Sequence, residues 1–109
     1  MDWFSIEVPG VGRIDRIAAE FQIWTGNKLP FASFRIKVIE RHGIGFLGVP
    51  NVNVKNSITG MPEWTSGLGE TIDGALQDTL ISFFLEIKTH YPEAGGTEDN
   101  FVWADPDDF

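Results

Sequence analysis

From Ile72 onward, apolar side chains recur at Ile72, Ala75, Leu76, Thr79 (through its methyl), Leu80, Phe83, Phe84 and Ile87. Steps of three and four place them on one broad stripe of an α-helix, whereas a strand would scatter them over both faces. A helix carrying such a stripe must bury it against another layer. Its ends are marked too: Thr71 or Glu70 stands where the N-cap belongs, Asp73 lies in the first turn, and Lys88 and His90 lie in the last. Each charge sits at the end of the helix dipole that favours it. Pro92 and Gly95-Gly96 stop the helix, and Gly74 weakens its start by up to about 1 kcal/mol.

The layer beneath it is legible as strands. Phe34-Arg35-Ile36-Lys37-Val38-Ile39-Glu40-Arg41 alternates apolar and polar residues, which predicts a half-buried strand with Arg35, Lys37 and Arg41 on the wet face. His42-Gly43 marks its turn. Ile44 to Leu47 and Val49 to Val54 then read as strand, broken or bulged at Pro50, and complete an antiparallel hairpin. After a break at Ile58 to Pro62, Glu63 to Gly69 reads as a short strand or edge segment. Phe101-Val102-Trp103 either returns as a last strand or packs on the helix. Earlier in the chain, Ile14, Ile17, Ala18, Phe21 and Trp24 are spaced as on an amphipathic helix over Arg13–Trp24 ended by Gly26 and Asn27. Short strands at Ile6 to Val8 and Phe21 to Trp24 are the alternative.

These elements predict a single α+β domain over residues 1–109, a small antiparallel sheet of three to four strands covered on one face by two helices. The other sheet face is left to solvent or a partner. A chain of 109 residues that is 42% apolar and 13% aromatic can bury one core. It has no cysteine, which excludes disulfides, thiolate zinc sites and cysteine nucleophiles. No apolar run approaches the roughly 20 residues that span a bilayer, and Met1-Asp2-Trp3-Phe4 lacks the basic start of a signal peptide. A cytoplasmic protein is expected.

Charge is unevenly divided. Residues 1–56 carry five acids and seven bases; residues 57–109 carry eleven acids and one base, Lys88. The acids are expected on the outer face of the long helix and beyond Pro92, where residues 93–109 form an acidic aromatic tail. Glu93, Glu98, Asp99, Asp105, Asp107 and Asp108, with Phe101 and Trp103, are the candidate partner-binding residues. Acids around exposed aromatics suit a basic protein surface and repel a nucleic-acid backbone. Trp24 and Trp64, beside apolar runs, are expected in the core or at its edge.

Other chemistry finds little support. Gly43-Ile44-Gly45-Phe46-Leu47-Gly48 fits G-x-G-x-x-G, but a dinucleotide site needs a helix to follow, and strand follows instead. His42 and His90 stand apart, without ligands at metal spacing. His42 reads as a turn residue and His90 as a helix C-terminal cation. Glu70 with Asp73, or Asp105 with Asp107, would serve a small carboxylate enzyme only in a pocket that separates their pKa values. No catalytic residue, metal or cofactor is expected.

Gly67-Leu68-Gly69-Glu70-Thr71-Ile72-Asp73-Gly74-Ala75-Leu76-Gln77-Asp78-Thr79-Leu80 resembles the strand-to-helix junction of HicB-type antitoxins, and the likeness extends to Ile87. Gly74 stands where that family has glutamate, and its Pro-Gly-Cys turn is missing; the resemblance implies an antitoxin module with a further DNA-binding segment. In size and in its tail Phe101 to Phe109, the chain also resembles the small immunity proteins that accompany bacterial polymorphic and contact-dependent toxins. That resemblance implies a non-enzymatic inhibitor that occludes the basic cleft of a cognate toxin, often a nuclease. A phage-encoded inhibitor of host defence would use the same mimicry.

Overall fold

The computed structural model describes residues 2–93 and 95–109, so Met1 of the N-terminal reading and Ala94 of the tail lie outside the described residues. After a 3-10 turn at Trp3–Ser5 come β1 Arg16–Trp24, β2 Ser33–Arg41, β3 Gly45–Pro50, β4 Val52–Lys55, β5 Pro62–Glu63 and β6 Gly67–Gly69. Helix α1, Ile72–His90, follows, then a second 3-10 turn at Glu98–Asn100 and β7, Phe101–Trp103. All strand pairs are antiparallel. They form a four-stranded sheet ordered β1-β2-β3-β6 and a three-stranded sheet ordered β5-β4-β7.

The expected architecture is therefore corrected: seven strands in two sheets replace one small sheet, and among the described residues α1 is the one α-helix. The segment expected as a first helix is strand β1. Its ladder slips between the pairs Ile17↔Ile39 and Ala19↔Val38, leaving Ala18 as an extra residue. Such a bulge turns one two-residue step into a three-residue step, and that irregular spacing imitates a helix. Past the bulge, Ala19, Phe21 and Ile23 are half-buried while Glu20, Gln22 and Trp24 are exposed, a plain period of two.

β2 alternates as its sequence predicts, with Phe34, Ile36 and Val38 buried. The next run is interrupted at Asn51 rather than at Pro50, which closes β3 opposite Ile36. Asn51 makes the corner between the sheets. Its amide donates to the Arg35 carbonyl (2.9 Å), its side-chain oxygen accepts from the Arg35 amide (2.8 Å), and its carbonyl accepts from the Ala104 amide (2.8 Å).

Thr71 caps α1 by accepting from the Gly74 amide at 3.0 Å. The helix then lies so close to β3 and β6 that a Cβ on Gly48, Gly67 or Gly69 would collide with Thr79 or Ala75. Glycine in these strands is a packing requirement. Thr79 is buried, and its hydroxyl donates to the Ala75 carbonyl at 2.7 Å. The main core joins Phe34, Ile36, Val52, Val54, Phe83, Ile87 and Phe101, so both sheets and α1 contribute to it. Phe34 and Phe83 meet at 4.7 Å between centroids. At the far end of α1 the Tyr91 hydroxyl donates to the Lys55 carbonyl at 2.8 Å.

Candidate functional site

The acidic tail is part of the fold, because β7 pairs with β4 (Phe101 opposite Val54, Trp103 opposite Val52). Phe101, expected as a contact residue, is 5% exposed, belongs to the core and stacks edge-on against Phe31 at 5.0 Å. β7 divides the other candidates into two groups. On one side Glu98 and Asp99 are exposed on the 3-10 turn, and Glu93 lines a shallow groove with Tyr91, Pro92 and Thr97. On the other side lie Trp103, Asp105, Asp107 and Asp108.

Of the second group, Trp103, Asp105 and Asp108 line one groove. Trp103 is 45% exposed and rests edge-on against Phe31 at 5.0 Å. Together with Trp64, which is 83% exposed, it lines a groove of about 310 Å³ whose walls include Val49, Pro50, Asn53 and Thr65. Asp105 and Asp108 line the same groove. They are held by a tight turn: Asp105 Oδ1 accepts from the Asp107 amide (2.9 Å), and the Asp105 carbonyl accepts from the amides of Asp108 (2.9 Å) and Phe109 (3.1 Å). The turn is fastened to the first sheet, since Lys37 Nζ donates to the main-chain oxygen of Phe109 (2.6 Å) and lies 4.6 Å from the centroid of its ring.

That fastening alters the sheet face expected to carry a basic patch. Lys37 is engaged by Phe109, Arg35 faces Glu20 at 3.6 Å, and Arg41 faces Asp15 at 3.4 Å. What runs across this face is an apolar row in register, Ile17, Ile39, Leu47 and Leu68, one residue from each strand. Trp24 and Trp64 are also not where the sequence suggested, being 71% and 83% exposed. Trp24 falls on the outward phase of the edge strand β1. Trp64 lies between the two-residue β5 and the three-residue β6, too short a run to cover an indole.

A larger concavity of about 700 Å³, not foreseen from the sequence, lies under the N-terminal segment, lined by Phe4, Ile6, Val8, Val11, Ile14 and Ile44 beside Arg13, Asp15, Arg41 and His42. Its charges answer one another, with Asp15 between Arg13 (3.2 Å) and Arg41 (3.4 Å). His42 is in the β2–β3 turn and stacks on Phe4 at 3.6 Å between centroids. His90, in the last turn of α1, accepts from the Ser57 amide through Nδ1 at 3.2 Å, while its Nε2 lies 3.5 Å from Glu86. Asp105 and Asp107 are exposed turn residues, and Glu70 and Asp73 are exposed beside the Thr71 cap. Among the described residues, no three His, Asp or Glu side chains converge on a point that could hold a metal ion. No described helix is long and apolar enough to cross a membrane.

Comparison with known proteins gives no match: no family model fits the chain, and no curated protein or solved structure is significantly similar to it.

Proposed function

We propose that this chain is a non-enzymatic, protein-binding inhibitor, an immunity protein whose partner is a cognate bacterial toxin with a basic cleft, such as a nuclease. The observation that carries the reading is the groove between Trp64 and Trp103, two exposed indoles with Asp105 and Asp108 beside them on a fastened turn. Large exposed aromatics supply the desolvated contacts of an interface. The surrounding acids, on a chain of net charge −8, steer it toward a basic surface. Glu93, Glu98 and Asp99, on the other side of β7, contribute to that long-range field rather than to the groove.

The test uses the product of the neighbouring toxin gene, with association measured at low and at physiological salt. Trp103→Ala with Trp64→Ala lowers affinity by roughly a hundredfold, mainly through faster dissociation, as removal of hot-spot aromatics does. Asp105→Asn with Asp107→Asn and Asp108→Asn slows association and flattens its salt dependence. No association at low salt ends the proposal.

A further inference from the structure

The outward face of α1 differs from the charged surface that the sequence suggested. Asp73 and Asp78 are exposed near its start, but its middle is apolar, with Ile81 and Leu85 each 59% exposed and Phe84 39% exposed. The buried residues Ala75, Thr79, Phe83 and Ile87 occupy the opposite side, so this patch is separate from the helix's own packing on the sheets. Asp78, Ile81, Leu85 and Lys88 follow one another at steps of three, four and three, the spacing of a single helix–helix seam.

The order along that seam is acid, apolar, apolar, base. Read backwards, it becomes its own complement. If a second α1 lies antiparallel about a two-fold axis level with Phe83, Ile81 meets Leu85 and Asp78 meets Lys88 at both ends, while the neutral Gln77 meets Thr89. A parallel pair would set Asp78 against Asp78 and Lys88 against Lys88. Lys88 is the one base in residues 57–109, and it stands where this pairing needs it. Asp78 is exposed, although its Oδ2 accepts from the Leu68 amide at 2.9 Å. We propose that the outer face of α1 docks a second copy of this chain as an antiparallel, two-fold helix pair, an isologous contact. The groove between Trp64 and Trp103 is not part of this contact.

Three apolar side chains per copy make a contact at the small end of interface sizes, so dissociation constants on the order of 100 µM are expected. Sedimentation velocity on the full chain from roughly 10 µM to 1 mM brackets that range and is expected to show a concentration-dependent monomer–dimer equilibrium. Ile81→Glu with Leu85→Glu, at exposed positions, abolishes the dimer with unchanged far-UV circular dichroism. Lys88→Glu, which sets acid against acid, weakens dimerisation about tenfold. A chain that stays monomeric to 1 mM overturns the proposal and leaves the face to a different protein. A dimer that survives Ile81→Glu with Leu85→Glu, or ignores Lys88→Glu, also overturns it.

Discussion

Individual residues in this molecule divide sharply into those that tolerate change and those that do not, and glycine shows the division best. Gly67 faces the backbone of α1 with no room for a Cβ, whereas Gly12 has open space around it. Gly67→Ala is expected to cost about 2–3 kcal/mol through forced separation of β6 and α1. Gly12→Ala stays within about 0.5 kcal/mol of the parent. Chemical denaturation of both variants checks the contrast, and equal stabilities would contradict the packing described. Thr71→Ala removes the acceptor for the Gly74 amide and is expected to cost about 1 kcal/mol, read the same way. The sequence narrowed the cap to Thr71 or Glu70, because a cap is a local matter. It did not reveal Trp64, whose exposure follows from the shortness of the strands on either side, a property set by tertiary pairing.

Elements that obey a single period were legible, and those that mix periods were not. The buried residues of α1 and of β2 each keep one period, and both elements appear where the sequence places them. β1 carries the bulge at Ala18, and its broken alternation gives the apolar spacing of a helix. β7 is too short for any period, so whether Phe101-Val102-Trp103 formed a strand or lay on the helix depended on the partner that β4 offers. Its position also changes what a truncation measures. Removing residues 97–109 takes Phe101 out of the core and is expected to cost about 3–5 kcal/mol for that ring alone, a large share of the roughly 5–15 kcal/mol typical of a whole domain. Removing residues 105–109 sacrifices only the turn and the Lys37 contact, and the thermal transition is expected to remain cooperative. Comparing the two by scanning calorimetry decides the matter. A longer deletion that melts like the parent would show that β7 is dispensable.

The whole molecule is elongated, 51 × 27 × 21 Å, with a radius of gyration of 15.6 Å. A compact chain of this length is expected near 13 Å. Small-angle scattering in dilute solution is expected to return the larger dimension. A value near 13 Å would contradict the elongated shape. Composition does not show the elongation, and the change from one sheet to two falls at Asn51, one residue past the Pro50 where the sequence predicts a break or bulge. At this scale the candidate site was only half legible: the acids and Trp103 were visible in the tail, but the groove also requires Trp64, Val49 and Asn53, brought there by both sheets.

The corner at Asn51 has a consequence for how the molecule comes apart. Its three hydrogen bonds hold the amides of Arg35, in the first sheet, and Ala104, just past the last strand of the second. Both sheets are thus tied to a single residue. These two amide protons, remote in the chain, should therefore exchange with deuterium through one shared opening event, and Asn51→Ala should split them into two independent rates.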